Sequence, residues 1–209
     1  MKKSILNSKD TMSSDEILSL RQKVCDAYSA AAESPKGKHP FPVGRKFAES
    51  LGYSSDLLDE LPSVASEAFA GVSNVSVFAE IPMGATVLDL GCGAGLDSLV
   101  AGRRVGERGR VVGIDFGESM LERAFQAVRG AGLTNTHLTM AAAEDIPLRA
   151  GSVDVAMVNG IFNLNPARTS IFAELSRVVR KGGIAYIAEL VLKRRPWFAA
   201  KQSEDNWFA

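Results

Sequence analysis

The chain has 209 residues, 46% of them hydrophobic and 23% charged, enough to bury one sizeable core and too few for two ordinary domains. Lys plus Arg total 24 and Asp plus Glu total 24, so the basic excess by which polyanion binders neutralise phosphate is missing, and no nucleic acid partner is expected. No stretch approaches the roughly 18 uninterrupted apolar residues of a membrane span, and Met1-Lys2-Lys3 leads into polar residues rather than a secretory apolar run.

The two cysteines, Cys25 and Cys92, form no C-x-x-C, and only two histidines occur, His39 and His137. Neither a disulfide framework nor a metal site is expected, and a cytoplasmic, reducing location fits best. Residues 1 to 13 are polar, and Ser13-Ser14-Asp15-Glu16 offers a capping box. Ile17, Leu20, Val24, Ala27, Tyr28 and Ala31 follow at spacings of three and four, which predicts a helix ended by Pro35 and Gly37. Residues 34 to 44 hold three of the eight prolines and read as a loop. From Val43 to about Gly71, short helical patches broken by Gly52 and Pro62 predict a small helical region too poor in apolar residues to stand alone.

From Ala85 apolar runs alternate with helical patterns. Strands are predicted at Thr86 to Leu90, Arg110 to Asp115, Thr136 to Ala141, Val153 to Asn159 and Gly183 to Leu192, with helices at Leu96 to Arg104, Glu118 to Gly130 and Arg168 to Arg180. Strands this apolar on both faces, separated by helices, indicate an α/β fold with a doubly wound, mainly parallel sheet. The expected organisation is a helical N-terminal cap over residues 1–80, an α/β domain over 81–192 and a tail over 193–209. Right-handed crossovers then place the strand carboxyl ends along one edge, where ligands bind.

The most informative segment runs from Val87 through Asp89, Gly91, Cys92 and Gly93 to Gly95, a strand entering a D-x-G-x-G-x-G loop and then a helix. The glycines let backbone turn tightly and approach a ligand, and the helix start offers free amides. Asp115 ends the next strand, 20 residues past Gly95, placed to accept from a ribose diol. Together these point to an adenosine-type ligand. A dinucleotide fingerprint would require Gly or a near equivalent where Leu96 stands. Asp89 precedes the loop, Asp97 opens the helix, and no Lys or Arg lies between Ile81 and Gly102. That field opposes pyrophosphate and suits a cationic ligand, and S-adenosylmethionine carries an ammonium and a sulfonium. No phosphate-cradling G-x-x-x-x-G-K-[ST] occurs.

Residues from about Ala85 to Leu192 resemble the class I S-adenosylmethionine-dependent methyltransferases. The resemblance rests on V-L-D-L-G-C-G-A-G, V-V-G-I-D ending at Asp115, A-A-A-E-D-I-P around Glu144 and S-V-D-V-A-M-V-N ending at Asn159. It implies S-adenosylmethionine as cofactor, S-adenosylhomocysteine as product and a small-molecule methyl acceptor. The Gly91 to Gly95 loop would serve the methionine end, Asp115 the ribose, and Ala143 and Glu144 the adenine, with Asp89 a further cofactor-binding residue. Phe116 and Met120 would be further cofactor contacts, and Asn159 would face the transferred methyl.

A narrower resemblance is to arsenite methyltransferase-like (methyltransferase type 11) proteins, through F-P-V-G-R-K-F-A-E-S-L-G-Y-S, F-A-G-V and N-G-I-F-N-L-N-P. That family captures trivalent arsenic with cysteine thiolates. Here Ser98 and Gly160 stand where thiols would be expected, and Cys25 and Cys92 do not match. The acceptor stays open, with a cofactor-binding module without turnover and a nicotinamide-dependent oxidoreductase as alternatives.

Methyl transfer is a displacement in which orientation supplies much of the acceleration, and a base is needed only for an alcohol, phenol or protonated amine. The catalytic residue stays open, with Tyr28, laid over the pocket by its helix, and Asn159 as candidates. His39 reads as solvated surface, His137 as structural, Asp154 as a cap or ion-pair partner, and Lys193-Arg194-Arg195 as a solvated charge run. The resemblance also implies two more strands beside the fifth, which the 17 residues from Lys193 to Ala209 do not supply. The apolar fifth strand is then an edge, covered by Trp197, Phe198, Trp207 and Phe208 or by a second copy in a homodimer.

Overall fold

The computed structural model describes residues 14–191. Ser13 of the capping box, the 193–195 basic cluster and the four aromatic residues proposed to cover the fifth strand lie outside them. The first helix, α1 (Ser14–Glu33), turns Leu20, Val24, Ala31 and Ala32 inward, as the three-and-four spacing predicts. Four short helices follow: α2 (Arg45–Ser50), α3 (Ser55–Asp59), α4 (Ser63–Glu67) and α5 (Val75–Phe78). Ser54 caps α3, its hydroxyl accepting from Leu57 N at 3.2 Å.

The remaining elements alternate: β1 (Thr86–Leu90), α6 (Leu96–Val105), β2 (Arg110–Asp115), α7 (Glu118–Gly130), β3 (Thr136–Met140), β4 (Val153–Asn159), α8 (Arg168–Val178) and β5 (Val179–Ala188). The strands are parallel and ordered β3-β2-β1-β4-β5. Val87, Val111, Val155 and Met157 face α5 and α6, while Leu88, Leu90, Ile114, Ala156 and Val158 pack on Ile171, Leu175 and Val178 of α8. Both faces of the three central strands are therefore covered, which is why their sequences are apolar without alternation. The outer strands depart from that expectation. His137 on β3 is exposed rather than structural, and β5 leaves Ile184 and Ile187 open.

The short helices have no separate core. Tyr53, Leu58, Leu61, Ala65 and Phe69 join Leu96, Leu99 and Val100 of α6 and Ala127 and Val128 of α7 in one cluster. The far end of α1 is tied to α7: Arg123 donates to Ala32 O and, at 3.2 Å, to Val64 O, and Ser119 Oγ donates to Glu33 at 3.3 Å.

One boundary differs clearly from the sequence reading. The helix predicted to reach Arg180 stops at Val178, and β5 begins at once with Val179 rather than at Gly183, ending at Ala188 rather than Leu192. Apolar residues at 178 and 179 continue the helical period, so the pattern hides the turn. Tertiary contacts decide it: Arg180 Nε donates to Asp154 Oδ1 at 2.5 Å, and a register shift between Val153 and Val155 absorbs the extra residues before Ile184 pairs with Val155. Asp154 is thus the ion-pair partner expected of it, held below the usual carboxylate range by Arg180 and by Thr86 N. No helix among the described residues is long and apolar enough to cross a membrane.

Burial separates two leucine-sized positions. Leu88 is 0% exposed and Ile184 47%, so Leu88→Ala is expected to cost about 2–5 kcal/mol and Ile184→Ala less than about 1 kcal/mol. Urea unfolding of the two variants checks the difference.

Candidate functional site

The carboxyl ends of β3, β2, β1 and β4 line one edge of the sheet, and chain order reverses between β1 and β4. A cavity runs along this edge with α1 across it. β1 enters it directly as the Gly91 to Gly95 loop, whose first two amides, Gly91 N and Cys92 N, both donate to Ile114 O at 2.8 and 3.0 Å. Gly93 has φ +50°, and a Cβ added there would meet nothing within 4 Å, so the loop bares backbone to open cavity. Gly95 does different work. At φ +89° it caps α6, and its Cβ would lie 3.1 Å from that of Ala124 on α7.

Asp115 organises the middle of the edge. Its Oδ2 accepts from Gly93 N and its Oδ1 from Gly117 N, both at 2.8 Å. Burial pushes its carboxyl up, and these amides pull it back. Each oxygen keeps a lone pair, so the group that shapes the loop can still accept from a diol in the cavity it lines.

Cys92 lines the cavity, and its thiol is pushed well up by burial and then by Asp115 and Asp89. It stays a thiol near neutral pH, not the thiolate that binds soft metals. Asp89 lies beneath the loop, outside the cavity lining, accepting from Ser98 Oγ at 2.6 Å. Burial and the neighbouring Asp97 push it up to about 8.

The wall beyond β1 rests on Asn159. Its Oδ1 accepts from Val72 N at 2.8 Å and Ser73 N at 3.1 Å, and its Nδ2 donates to Ser73 O at 2.8 Å and Asp97 Oδ2 at 2.9 Å. The amide has no donor hydrogen left. Asp97 Oδ1 accepts in turn from Tyr53 Oη at 2.5 Å and Ser76 N at 3.2 Å. Asn159 lines the cavity, but its polar atoms hold the chain segment after Phe69 against the sheet.

On the near wall, Tyr28 lines the cavity half-buried and stacks on Phe41 at 4.5 Å between centroids. Its phenol is pushed up by burial, then by Asp115 and Glu189, so it stays protonated near neutral pH. Glu144 accepts from Arg21 of α1 and, at 3.1 Å, from Asn165 Nδ2, a bridge across the opening.

The structure therefore brings Tyr28, Gly91, Cys92, Gly93, Asp115, Phe116, Met120, Ala143, Glu144 and Asn159 to one cavity, and leaves Asp89 and Gly95 behind its wall. Neither histidine lines it, and His39 Nε2 is 2.9 Å from Ser34 O. Sequence reasoning missed the roles of Arg21, Tyr53, Asp97 and Asn165. Asp97 alone carried a signal, an acid in the first turn of a helix without a cation nearby. Its partners Tyr53 and Asn159 lie 44 and 62 residues away. No group of three or more metal-ligating side chains occurs among the described residues.

Comparison with known proteins agrees with this architecture. A family model described as Methyltransferase domain matches residues 82–208. An arsenite methyltransferase of Halobacterium salinarum is 35% identical over 146 residues, covering 69% of this chain and 37% of that protein. The crystal structure of an arsenic (III) S-adenosylmethionine methyltransferase from Chlamydomonas reinhardtii matches at TM-score 0.62 and 30% identity, over 67% of this chain and 49% of that one. A SAM dependent methyltransferase from Aquifex aeolicus matches at TM-score 0.50 and 26% identity, over 77% and 79%. The chain thus spans 37% of the Halobacterium protein and about half of the Chlamydomonas chain.

The environment of Asp89 sets a pH dependence. Its carboxyl rises from 3.8 to about 8 on folding, so between those values the folded chain holds a proton that the unfolded chain has lost. Stability from this group is present below about pH 4 and falls as pH rises toward 8, by at most about 1.4 kcal/mol per pH unit. Asp89→Asn removes that titration, so its stability relative to the parent is expected to be higher at pH 8 than at pH 5. Urea unfolding at both values checks the sign.

Proposed function

We propose that this chain, which belongs to the methyltransferase domain family, carries a methyl group from S-adenosylmethionine to a small-molecule acceptor held between the carboxyl edge of its sheet and α1. The observation that carries this reading is Asp115, a half-buried acid bonded to the bared glycine loop in a cavity rich in acid. Of the cavity-lining side chains described, only Arg21 is cationic, and it is paired with Glu144. A pyrophosphate has no free cation to meet there, which weighs against a nicotinamide cofactor. A nucleoside with a sulfonium and an ammonium suits the field.

The residues fit that group in several ways. Gly93 leaves room where any side chain would fill the cavity. Asp115 would take the ribose hydroxyls, half-exposed Phe116 and buried Met120 would flank the nucleoside, and Ala143 and Glu144 would border the adenine. When bound, S-adenosylmethionine supplies a methyl on a positively charged sulfur, ready for displacement by a lone pair. The protein's part is orientation: the Asn159 junction keeps the far wall in register, and Tyr28 and α1 exclude water.

Arsenic (III), the acceptor of the Chlamydomonas relative, is the first acceptor to test. The two thiol positions expected for it give no support. Ser98 is fully buried on Asp89, and Gly160, at φ +82°, has a Cβ position 3.0 Å from Val72 Cγ1, so a cysteine there would be strained. Binding without turnover is therefore the second reading. We further place the chain in a reducing cytoplasm, without a nucleic acid partner, and with a homodimer contact at β5 as the arrangement to test in solution.

Calorimetry with S-adenosylmethionine and S-adenosylhomocysteine is expected to show binding of both. Asp115→Ala is expected to weaken each by tenfold or more, since hydrogen bonds to a charged group contribute about 1.5–3 kcal/mol. Untouched affinity would place the ribose elsewhere. A methylation assay with arsenite and excess thiol then separates the readings: methylated arsenic supports turnover despite the absent thiols, and binding without methyl loss to any acceptor supports the second reading.

A further inference from the structure

Three carboxylates surround the glycine loop, and the structure gives each a different situation. Asp115 stands at the end of β2, already assigned to the ribose. Asp89 lies beneath the loop on Ser98 and does not reach the cavity. Asp97 is only 6% exposed, yet it lines the cavity. It sits in the first turn of α6 and touches Asn159, so it marks the side of the cavity toward β4. On the cofactor reading above, with Ala143 and Glu144 bordering the adenine and Asp115 taking the ribose, the sulfur would lie toward β1 and β4. No cation among the described ion pairs neutralises Asp97; its three described partners are Tyr53, Ser76 and Asn159, all uncharged.

We propose that Asp97 is the fixed countercharge for the sulfonium, and so the residue that lets this site tell S-adenosylmethionine from its uncharged-sulfur product. The inference rests on the cofactor reading above and deepens it. The two ligands share adenine, ribose, ammonium and carboxylate and differ in one methyl and the charge on sulfur, so a residue that senses that charge changes their ratio and not their common affinity. A carboxylate held in place by three neutral donors, away from bulk water, exerts its field without having to reorganise. It also accounts for the junction's composition: uncharged donors fix the acid while leaving its charge unmatched.

The test is calorimetry with both ligands on the full chain. Asp97→Asn is expected to weaken S-adenosylmethionine by about tenfold and S-adenosylhomocysteine by less than about twofold. Equal losses for the two ligands would overturn the proposal and reduce Asp97 to a structural junction. In Asp97→Asn the new amide nitrogen can be turned toward a donor from Asn159 or from Tyr53, so this variant risks misfolding. Tyr53→Phe provides the independent arm. It removes one of the donors that hold Asp97 ionised and in place, so preference for S-adenosylmethionine over S-adenosylhomocysteine is expected to fall by about twofold or more, whereas an unchanged or higher ratio counts against the countercharge. Asp115→Ala, acting on the shared ribose, is expected to leave the ratio unchanged. If the unaltered chain binds neither ligand, the cofactor reading itself fails and the inference goes with it; if it binds both and neither Asp97→Asn nor Tyr53→Phe moves the ratio, only the inference fails.

Discussion

Asp97 accepts hydrogen bonds from Tyr53 before α3, from Ser76 in α5 and from Asn159 at the end of β4. A carboxylate taken this far from water keeps its place only while its lone pairs are met, so acid and donors constrain one another. Asn159 passes the constraint on to Val72 and Ser73. The approach is close enough that a Cβ at Gly71 would lie 2.5 Å from Asn159 Nδ2. One polar junction thus fixes the helical region, the first turn of α6 and the last residue of β4 in a single register, and the cavity is the space that register leaves open. The shared apolar cluster beneath it supplies the bulk of the attraction but no comparable directional fix.

Charge in the cavity is distributed by environment more than by composition. Asp89 is driven toward its neutral form by burial and by Asp97, while Asp115 has the backbone amides of Gly117, Gly93 and Phe116 to offset part of the same burial. Glu144 is answered by Arg21, which also closes α1 over the opening. Three acids that look interchangeable in the sequence, Asp89, Asp115 and Asp97, therefore have three settings, beneath the loop, at β2 and toward β4. The last two line the cavity, and the first serves the helix start through Ser98.

The repeating strands and helices were legible because burial on both faces of β1, β2 and β4 leaves no polar alternation to confuse. Asp115 was legible because a strand end and a glycine loop place it by local geometry. Asn159 was seen as a residue at the cavity but not as a saturated one, since its partners lie 62 to 87 residues away. Asp89 and Gly95 were grouped with the loop because they are adjacent in sequence; a strand points alternate residues to opposite sides, and a helix cap faces its packing partner, so adjacency did not mean a common face. The start of β5 was hidden for a related reason, a helical apolar period that runs past the point where Arg180 pairs with Asp154.

By itself the sequence determined the fold class, the parallel order of alternating elements, the glycine loop and the acid at the end of β2. These follow from short-range periodicity and backbone permissiveness, which a few consecutive residues specify. Only the tertiary structure decided which acids reach the cavity, which amide is already saturated and how α1 closes the opening. Those properties depend on groups brought together across long stretches of chain, and on how much water each keeps once they meet.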